Sequence, residues 1–366
     1  MRNFENARRV VIKIGTNTLS RGEGIDAEYM AQIAEQVAWL TEQDKQVLLV
    51  SSGAIGMGAG RIGHVGPVID TQMRQACAAI GQPLLMHEYH RAFAERGLTV
   101  AQVLLTADVL SERKTFLNLR NAVERLLELG VVPIVNENDS VSTEEIDSAF
   151  GDNDTLSALV ASKVDADLLI ILSDVDALYD GDPRERADAK AIDVVWEITP
   201  AIVKAAGGAG TMHSTGGMRT KIKAARVAAN AGCKIVLAHG RCEDVVRRIV
   251  SGETVGTLFM SKRKLNARTR WILNSKAAGT IHVDRGAMDA LRRSKSLLPS
   301  GVVSVSGTFA AGAVVMVNEE AKAVTSLSSD ELTAVAGKHS SEIREVIGAD
   351  RRDVVAVPED VVFLDY

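Results

Sequence analysis

Five short stretches gather residue types that can hold a phosphate group. In "VVIKIGTNTLS", Lys13 interrupts an apolar run and Gly15 follows two residues later. A buried, unpaired ammonium is costly. Lys13 therefore either snorkels outward or meets an anion; in the second case it is a strand-end cation aimed at phosphate oxygens, and Gly15 lets a ligand approach the backbone. "LLVSSGAIGMG" ends a second apolar run with Ser51, Ser52 and Gly53, whose hydroxyls and backbone amides can receive an anion. "PIVNENDSVSTEEI" ends a third with Asn136, Glu137, Asn138 and Asp139, more polar side chains than a turn requires. "AFGDNDTLSALVA" sets Gly151, Asp152, Asn153 and Asp154 before an apolar helical pattern. One Asn or Asp suffices there as a cap, for about 1 kcal/mol. Finally, "GGAGTMHSTGGMRTK" enters a helix at about Thr215 to Gly217, with Lys221 in the first turns. Helix N-termini bind phosphate through free amides and the dipole. A cation there is mildly unfavourable and so points to an anionic partner.

Lysines and glycine or hydroxyl loops beside carboxylate-rich ones suit phosphoryl transfer from a nucleotide to a small acceptor, which asks mainly for positioning and charge neutralisation. A carboxylate acceptor is already ionised at pH 7 and needs no general base. No His and Asp relay stands out, which agrees. Other phosphate cradles fail on context. The Gly337–Lys338 pair lacks the partner glycine of a Walker loop. Gly58, Gly60 and Gly63 satisfy GxGxxG, but Gly66 and Pro67 follow where a dinucleotide helix should continue, so a mobile loop is expected. His87 and His90 are one residue short of metalloprotease spacing and read as surface histidines on a helix.

The elements that carry these stretches alternate. "RVVIKIG", "QVLLVSS", "LTVAQVLLT", "VVPIVNE", "DLLIILSD" and "KIVLAHG" are short, branched and apolar, as buried strands are. Amphipathic segments lie between them. Phe116, Leu119, Val123, Leu126 and Leu127 form one helical stripe that stops at Gly130. A second helix is expected from Met218 to Ala231, closing at Gly232. The alternation predicts a mainly parallel sheet with helices on both faces, a three-layer αβα sandwich with ligands beyond the carboxyl ends of its strands. After five basic residues between Lys262 and Arg270, the strands become short and turn-rich. The expected division is a catalytic domain over 1–262, a solvated linker over 263–277 and a small β-rich domain over 278–366.

Composition narrows the classes. The chain has 366 residues, 46% hydrophobic and 24% charged, enough for two domains with full cores. A formal charge of −5 gives no global attraction to nucleic acid or an anionic membrane. Three cysteines, Cys77, Cys233 and Cys242, without a CxxC pair indicate neither a disulfide framework nor a zinc site. No apolar run approaches the roughly 18 residues that span a bilayer, so a cytoplasmic enzyme is expected.

In order, "VIKIGTNTL", "VSSGAIGMG", "VNENDSVSTEEI", "GDNDTLSALVA", "SDVDALYDGDPR", "TGGMRTK" and "GTLF" resemble the glutamate 5-kinases of the amino-acid kinase family. The tail, from "AGTIHVDRGAMDAL" through "LLPSGVVSVSGTFAAGAVV", looks like a PUA domain. The resemblance implies an αβα fold that transfers the γ-phosphoryl of ATP, with Mg²⁺, to the side-chain carboxylate of L-glutamate, opening proline biosynthesis under feedback inhibition by proline. It also implies a homo-oligomer, dimer or tetramer. By the same resemblance, Lys13 and Lys221 neutralise the transferring phosphoryl and Asp154 organises them. Ser52, Asp139 and Asn153 match glutamate-binding positions, with Ser52 and backbone amides receiving a carboxylate and Asp139 the ammonium. Ser173, Asp174, Thr215, Gly216, Gly217, Met218, Arg219, Thr220 and Lys221, with Lys13, match the nucleotide segments. Gly15, Gly53, Asn136 and Asp152 are additional candidates. Two rival readings stand beside this one: another amino-acid kinase acting on a different carboxylate, carbamate or phosphate, and an RNA-binding tail, which a local net charge of −3 over residues 275–366 disfavours.

Overall fold

The computed structural model describes residues 2–21, 24–106, 113–141, 153–186, 188–206, 217–261, 264–338 and 354–364. The chain divides into two units, Met1–Lys264 and Leu265–Tyr366.

The first unit is built on an eight-stranded sheet. Its strands are β1 (Arg9–Ile14), β4 (Gln46–Val50), β5 (Val100–Leu105), β6 (Val132–Glu137), β7 (Leu168–Ser173), β8 (Val194–Val195), β9 (Lys234–His239) and β10 (Thr257–Phe259). A separate two-stranded ribbon joins β2 (Ser20–Arg21) to β3 (Gly24–Ile25). The order across the large sheet is β5-β6-β4-β1-β7-β9-β10-β8, and every pairing is parallel except β9 with β10. All six apolar runs of the sequence became strands. β8 and β10, two and three residues long, are too short for periodicity to reveal.

The period-2 alternation of β1 divides the core. Val10, Ile12 and Ile14 pack on one face with the helices Ala27–Thr41, Thr71–Ala94 and Val245–Val250. Val11 joins the opposite face, covered by Arg113–Glu128, Asn153–Lys163 and Met218–Asn230. Lys13 shares the parity of Val11, so its strand position directs it under that second helical layer. The result is the expected αβα sandwich. The Asn153–Lys163 helix is buried continuously from Asp154 to Ser162. A helix covered on all sides is a fixed platform, and burying Leu156 and Leu159 contributes about 1.5–3 kcal/mol each.

The glycines of the GxGxxG string are not the expected mobile loop. Gly58 and Gly60 belong to the helix Ala54–Arg61, and only Gly63, with φ +69°, sits in a turn. A Cβ on Gly58 would stand 1.8 Å from the Cys77 carbonyl oxygen, and one on Gly81 would stand 1.8 Å from that of Ala54. These two glycines let the Ala54–Arg61 and Thr71–Ala94 helices touch backbone to backbone. His87 and His90 are exposed on the longer helix, as expected.

The second unit has a five-stranded sheet. Its order is β12 (Val302–Ser306), β11 (Thr280–Val283), β13 (Val314–Val317), β14 (Ala321–Val324) and β15 (Val361–Phe363), with only β11 and β13 parallel. Ile281, Val315, Val317 and Leu332 centre its own core. Part of the stretch read as a linker, 263–277, is ordered in this unit: Ala267–Asn274 is a helix capped by Asn266, and its fully buried Ile272 packs with Val314 and Val324. The basic side chains masked this, because the residues that the helix buries are only Ile272 and Arg270, and a buried arginine gives no apolar signal.

Candidate active site

Parallel pairing brings the carboxyl ends of β1, β4, β6 and β7 to one edge of the sheet. The chain leaves β1 toward β4 on one side and returns to β7 on the other. This reversal is the switch point at which open α/β sheets form a ligand crevice. Register puts Lys13 level with Val50 on β4 and Ile171 on β7. The residues that follow, Gly15, Ser51, Ser52, Asn136 and Ser173, therefore line the same edge.

Lys13 does not snorkel; it is 4% exposed. Its Nζ lies 2.7 Å from Oδ1 of the fully buried Asp154, and the Nζ of Lys221, 5% exposed, lies 3.0 Å from Oδ2. Asp154 enters from the second residue of its helix, and Lys221 from the first turn of the Met218–Asn230 helix packed beside it. Burial pushes the Asp154 carboxyl upward in pKa, but the charges and hydrogen bonds of Lys13 and then Lys221 outweigh it and hold the group at about 2. Part of the anionic partner inferred for Lys221 is thus internal. One carboxylate shared by two ammoniums leaves the trio with a formal charge of +1, suited to an incoming anion. Thr220 Oγ1 also reaches Asp154 Oδ2, at 3.5 Å.

Beside this trio, Asn153 turns its amide back to the end of β4. The two protons of its Nδ2 are shared among three acceptors, the Ser51 carbonyl at 2.5 Å, Ser52 Oγ at 2.8 Å and Asn136 Oδ1 at 3.1 Å. Asn136 passes the chain on, donating from Nδ2 to Gln82 Oε1 at 2.8 Å. Ser51 Oγ pairs with the hydroxyl of Tyr89 at 2.9 Å. Gly53, at φ +97°, opens the Ala54–Arg61 helix directly after these serines, a conformation that glycine adopts at little steric cost. Asp139 is half-buried, two residues beyond β6.

On the β7 side, Ser173 Oγ donates to Asp174 Oδ1 at 3.0 Å, and Asn17 Nδ2 donates to Asp174 Oδ2 at 3.0 Å. Partial burial raises the Asp174 pKa, but those two hydrogen bonds, its own backbone amide and the charge of Lys221 together bring it below the ordinary value. Gly15 donates its N–H to the Leu172 carbonyl, and a Cβ there would lie 3.5 Å from Lys13 Nζ. Gly217 caps the Met218–Asn230 helix with its backbone, Arg219 is exposed and Met218 is half-buried. Thr215, Gly216, Gly151 and Asp152 lie outside the described residues. The sequence did not mark Gln82, Tyr89 or Asn17. Gln82 stands 54 residues from its partner Asn136, and Asn17 stands 157 from Asp174, so neither contact leaves a local pattern.

Comparison with known proteins shows the family. The model of the amino acid kinase family matches residues 8–239 and the PUA domain model matches 279–347. The chain belongs to the amino acid kinase family. It is thus a phosphotransferase with a C-terminal PUA domain. It is 46% identical over 375 residues to a glutamate 5-kinase of Methanosarcina mazei, covering 99% of this chain and 97% of that one. It is 44% identical over 371 residues to the glutamate 5-kinase of Carboxydothermus hydrogenoformans, covering 99% of each. Among solved structures, carbamate kinase from Giardia lamblia bound to AMP-PNP matches with a TM-score of 0.51 at 15% identity, covering 70% of this chain and 100% of that one. That likeness concerns the fold. Among the described residues no helix is long and apolar enough to cross a membrane.

Proposed function

We propose that this chain is a glutamate 5-kinase, transferring the γ-phosphoryl of ATP to the side-chain carboxylate of L-glutamate. The observation that carries the reading is the buried Asp154, bridging Lys13 and Lys221 beside the Asn153–Ser52 pair. One oxygen of the substrate carboxylate forms a bond to the γ-phosphorus. The bond from that phosphorus to the β–γ bridging oxygen breaks, and ADP leaves with the electron pair. The product is an acyl phosphate.

Lys13 and Lys221 offset the charge spread over the transferring oxygens. Asp154 holds the two ammoniums at fixed spacing. With both oxygens engaged by cations and its pKa depressed, it serves as an organiser and not as a base. The acceptor needs none, being ionised at pH 7. Ser52 and nearby amides receive a carboxylate, Asp139 the ammonium, and Ser173, Asp174 and the segment from Thr215 to Lys221 the nucleotide. Mg²⁺ keeps several waters and is held by one or two carboxylates together with substrate phosphate oxygens, so it needs no all-protein cage; Asp174 is the carboxylate that would hold it. Bound there, the ion neutralises phosphate charge. We extend the reading to feedback inhibition by proline, a homo-oligomer of two or four subunits and a cytoplasmic setting, all carried by the resemblance to glutamate 5-kinases.

An acceptor panel tests the substrate. ADP release is expected to depend on L-glutamate; equal turnover with aspartate or N-acetylglutamate, and none with glutamate, would contradict it.

A further inference from the structure

The amide relay behind Ser52 has only one workable polarity. A backbone carbonyl can only accept, so the Asn153 atom 2.5 Å from Ser51 O must be the NH₂ group. That NH₂ also faces Asn136, which must present Oδ1, and the Asn136 NH₂ must then meet Oε1 of Gln82. Gln82 ends the relay. It is 9% exposed, and its Nε2 is buried with no hydrogen-bond partner among the described residues. Leaving such a donor unpaired is costly. Reversing the Gln82 amide would set two NH₂ groups against each other, so the relay holds the side chain acceptor-inward despite that cost.

The polarity reaches the pocket at the other end. Ser52 Oγ accepts from Asn153 at 2.8 Å, which leaves the hydroxyl proton of Ser52 to point away from Asn153, where it can serve an anionic group. Asn153 spends its NH₂ on the protein and leaves Oδ1 as an acceptor for a cationic group. A ligand carrying both carboxylate and ammonium meets matched partners.

Resting on the glutamate-kinase reading of the site, we propose that Gln82 is a positioning residue: by accepting from Asn136 it holds the Asn136 Oδ1 toward the Asn153 NH₂, whose direction the Ser51 carbonyl sets, and so steadies the Asn153–Ser52 contact of the amino-acid pocket. Gln82 itself need not touch the substrate. Its helix supplies the rigidity, since Gly81 seats the preceding turn on the Ala54 carbonyl and Pro83 follows at once.

The test is steady-state kinetics of the full chain with glutamate and ATP varied separately. Gln82→Met removes the acceptor and is expected to raise the glutamate KM roughly tenfold, with kcat and the ATP KM within about twofold. Gln82→Glu keeps an acceptor toward Asn136 and is expected to stay within about threefold of the parent KM. In an Asn136→Ala background, adding Gln82→Met should change little, because the relay is already cut. Should the methionine variant fold poorly, Gln82→Leu carries the same expectation. An unchanged glutamate KM in Gln82→Met, a parallel rise in the ATP KM, or a glutamate KM in Gln82→Glu as high as in Gln82→Met would overturn the role of Gln82. The unmodified chain is assayed alongside: failure of that chain to use glutamate would overturn the parent reading, whereas normal turnover without the Gln82 pattern overturns this inference alone.

Discussion

Asp154 is the residue on which the two lysines depend, and its substitution separates charge from packing. Asp154→Asn would leave two buried ammoniums without their shared counter-charge, and breaking a buried pair in this way costs about 3–5 kcal/mol. The pH dependence has a definite sign. The carboxyl is held at about 2, against an ordinary 3.8, so its stabilising contribution is complete above the ordinary value and is lost as pH falls toward 2. Thermal melts should show the parent chain well above Asp154→Asn at neutral pH, with the gap closing between about pH 4 and pH 2. A gap constant over that interval would mean that the carboxylate charge contributes nothing. Lys13→Ala and Lys221→Ala should each lower kcat far more than they raise the glutamate KM, because their charge is needed as the phosphoryl moves. Turnover retained in either variant would remove that lysine from the chemistry. Lys13 was legible in sequence as a cation in an apolar strand; the orientation of Asn153 was not, because it depends on a carbonyl 102 residues away.

Two helices decide whether the serine loop after β4 holds its shape. The Ala54–Arg61 helix starts directly behind Ser52 and Gly53 and is pinned to the Thr71–Ala94 helix at Gly58 and Gly81. Gly58→Ala forces a Cβ into the Cys77 carbonyl, so the backbones must part, at a cost of about 1–3 kcal/mol. Gly56→Ala, in the same helix with open space around it, should be neutral or stabilising by up to about 1 kcal/mol. Melting temperatures of the pair check this, and equal effects would reject the close-packing account. The strands were readable because a parallel sheet covered on both faces needs continuous branched-apolar runs. The glycine contact was hidden for a physical reason: a packing glycine and a loop glycine look alike until it is known which helix lies opposite. The Ala267–Asn274 helix was missed for a related reason, since Ile272 and its neighbours give too narrow an apolar stripe to stand out against the three arginines and two lysines of residues 262–270.

The two units each close a hydrophobic core of their own, the first on both faces of the large sheet and the second around Ile281 and Val317. All the described candidate residues, from Lys13 to Lys221, belong to the first unit. A chain ending at Lys264 should therefore fold and keep ADP release within a few-fold of the full chain; a folded but inactive truncation would assign the second unit a part in catalysis. At this scale the sequence already carried the αβα order and the change to short strands, because those follow from hydrophobic periodicity. The boundary was blurred by a basic helix that resembles a linker. The whole account rests on where the phosphoryl group lands. Trapping the product with hydroxylamine in the presence of ATP and L-glutamate measures this directly. The account predicts glutamyl hydroxamate in step with ADP, whereas glutamate-dependent ADP release without hydroxamate, or no dependence on glutamate at all, would contradict it.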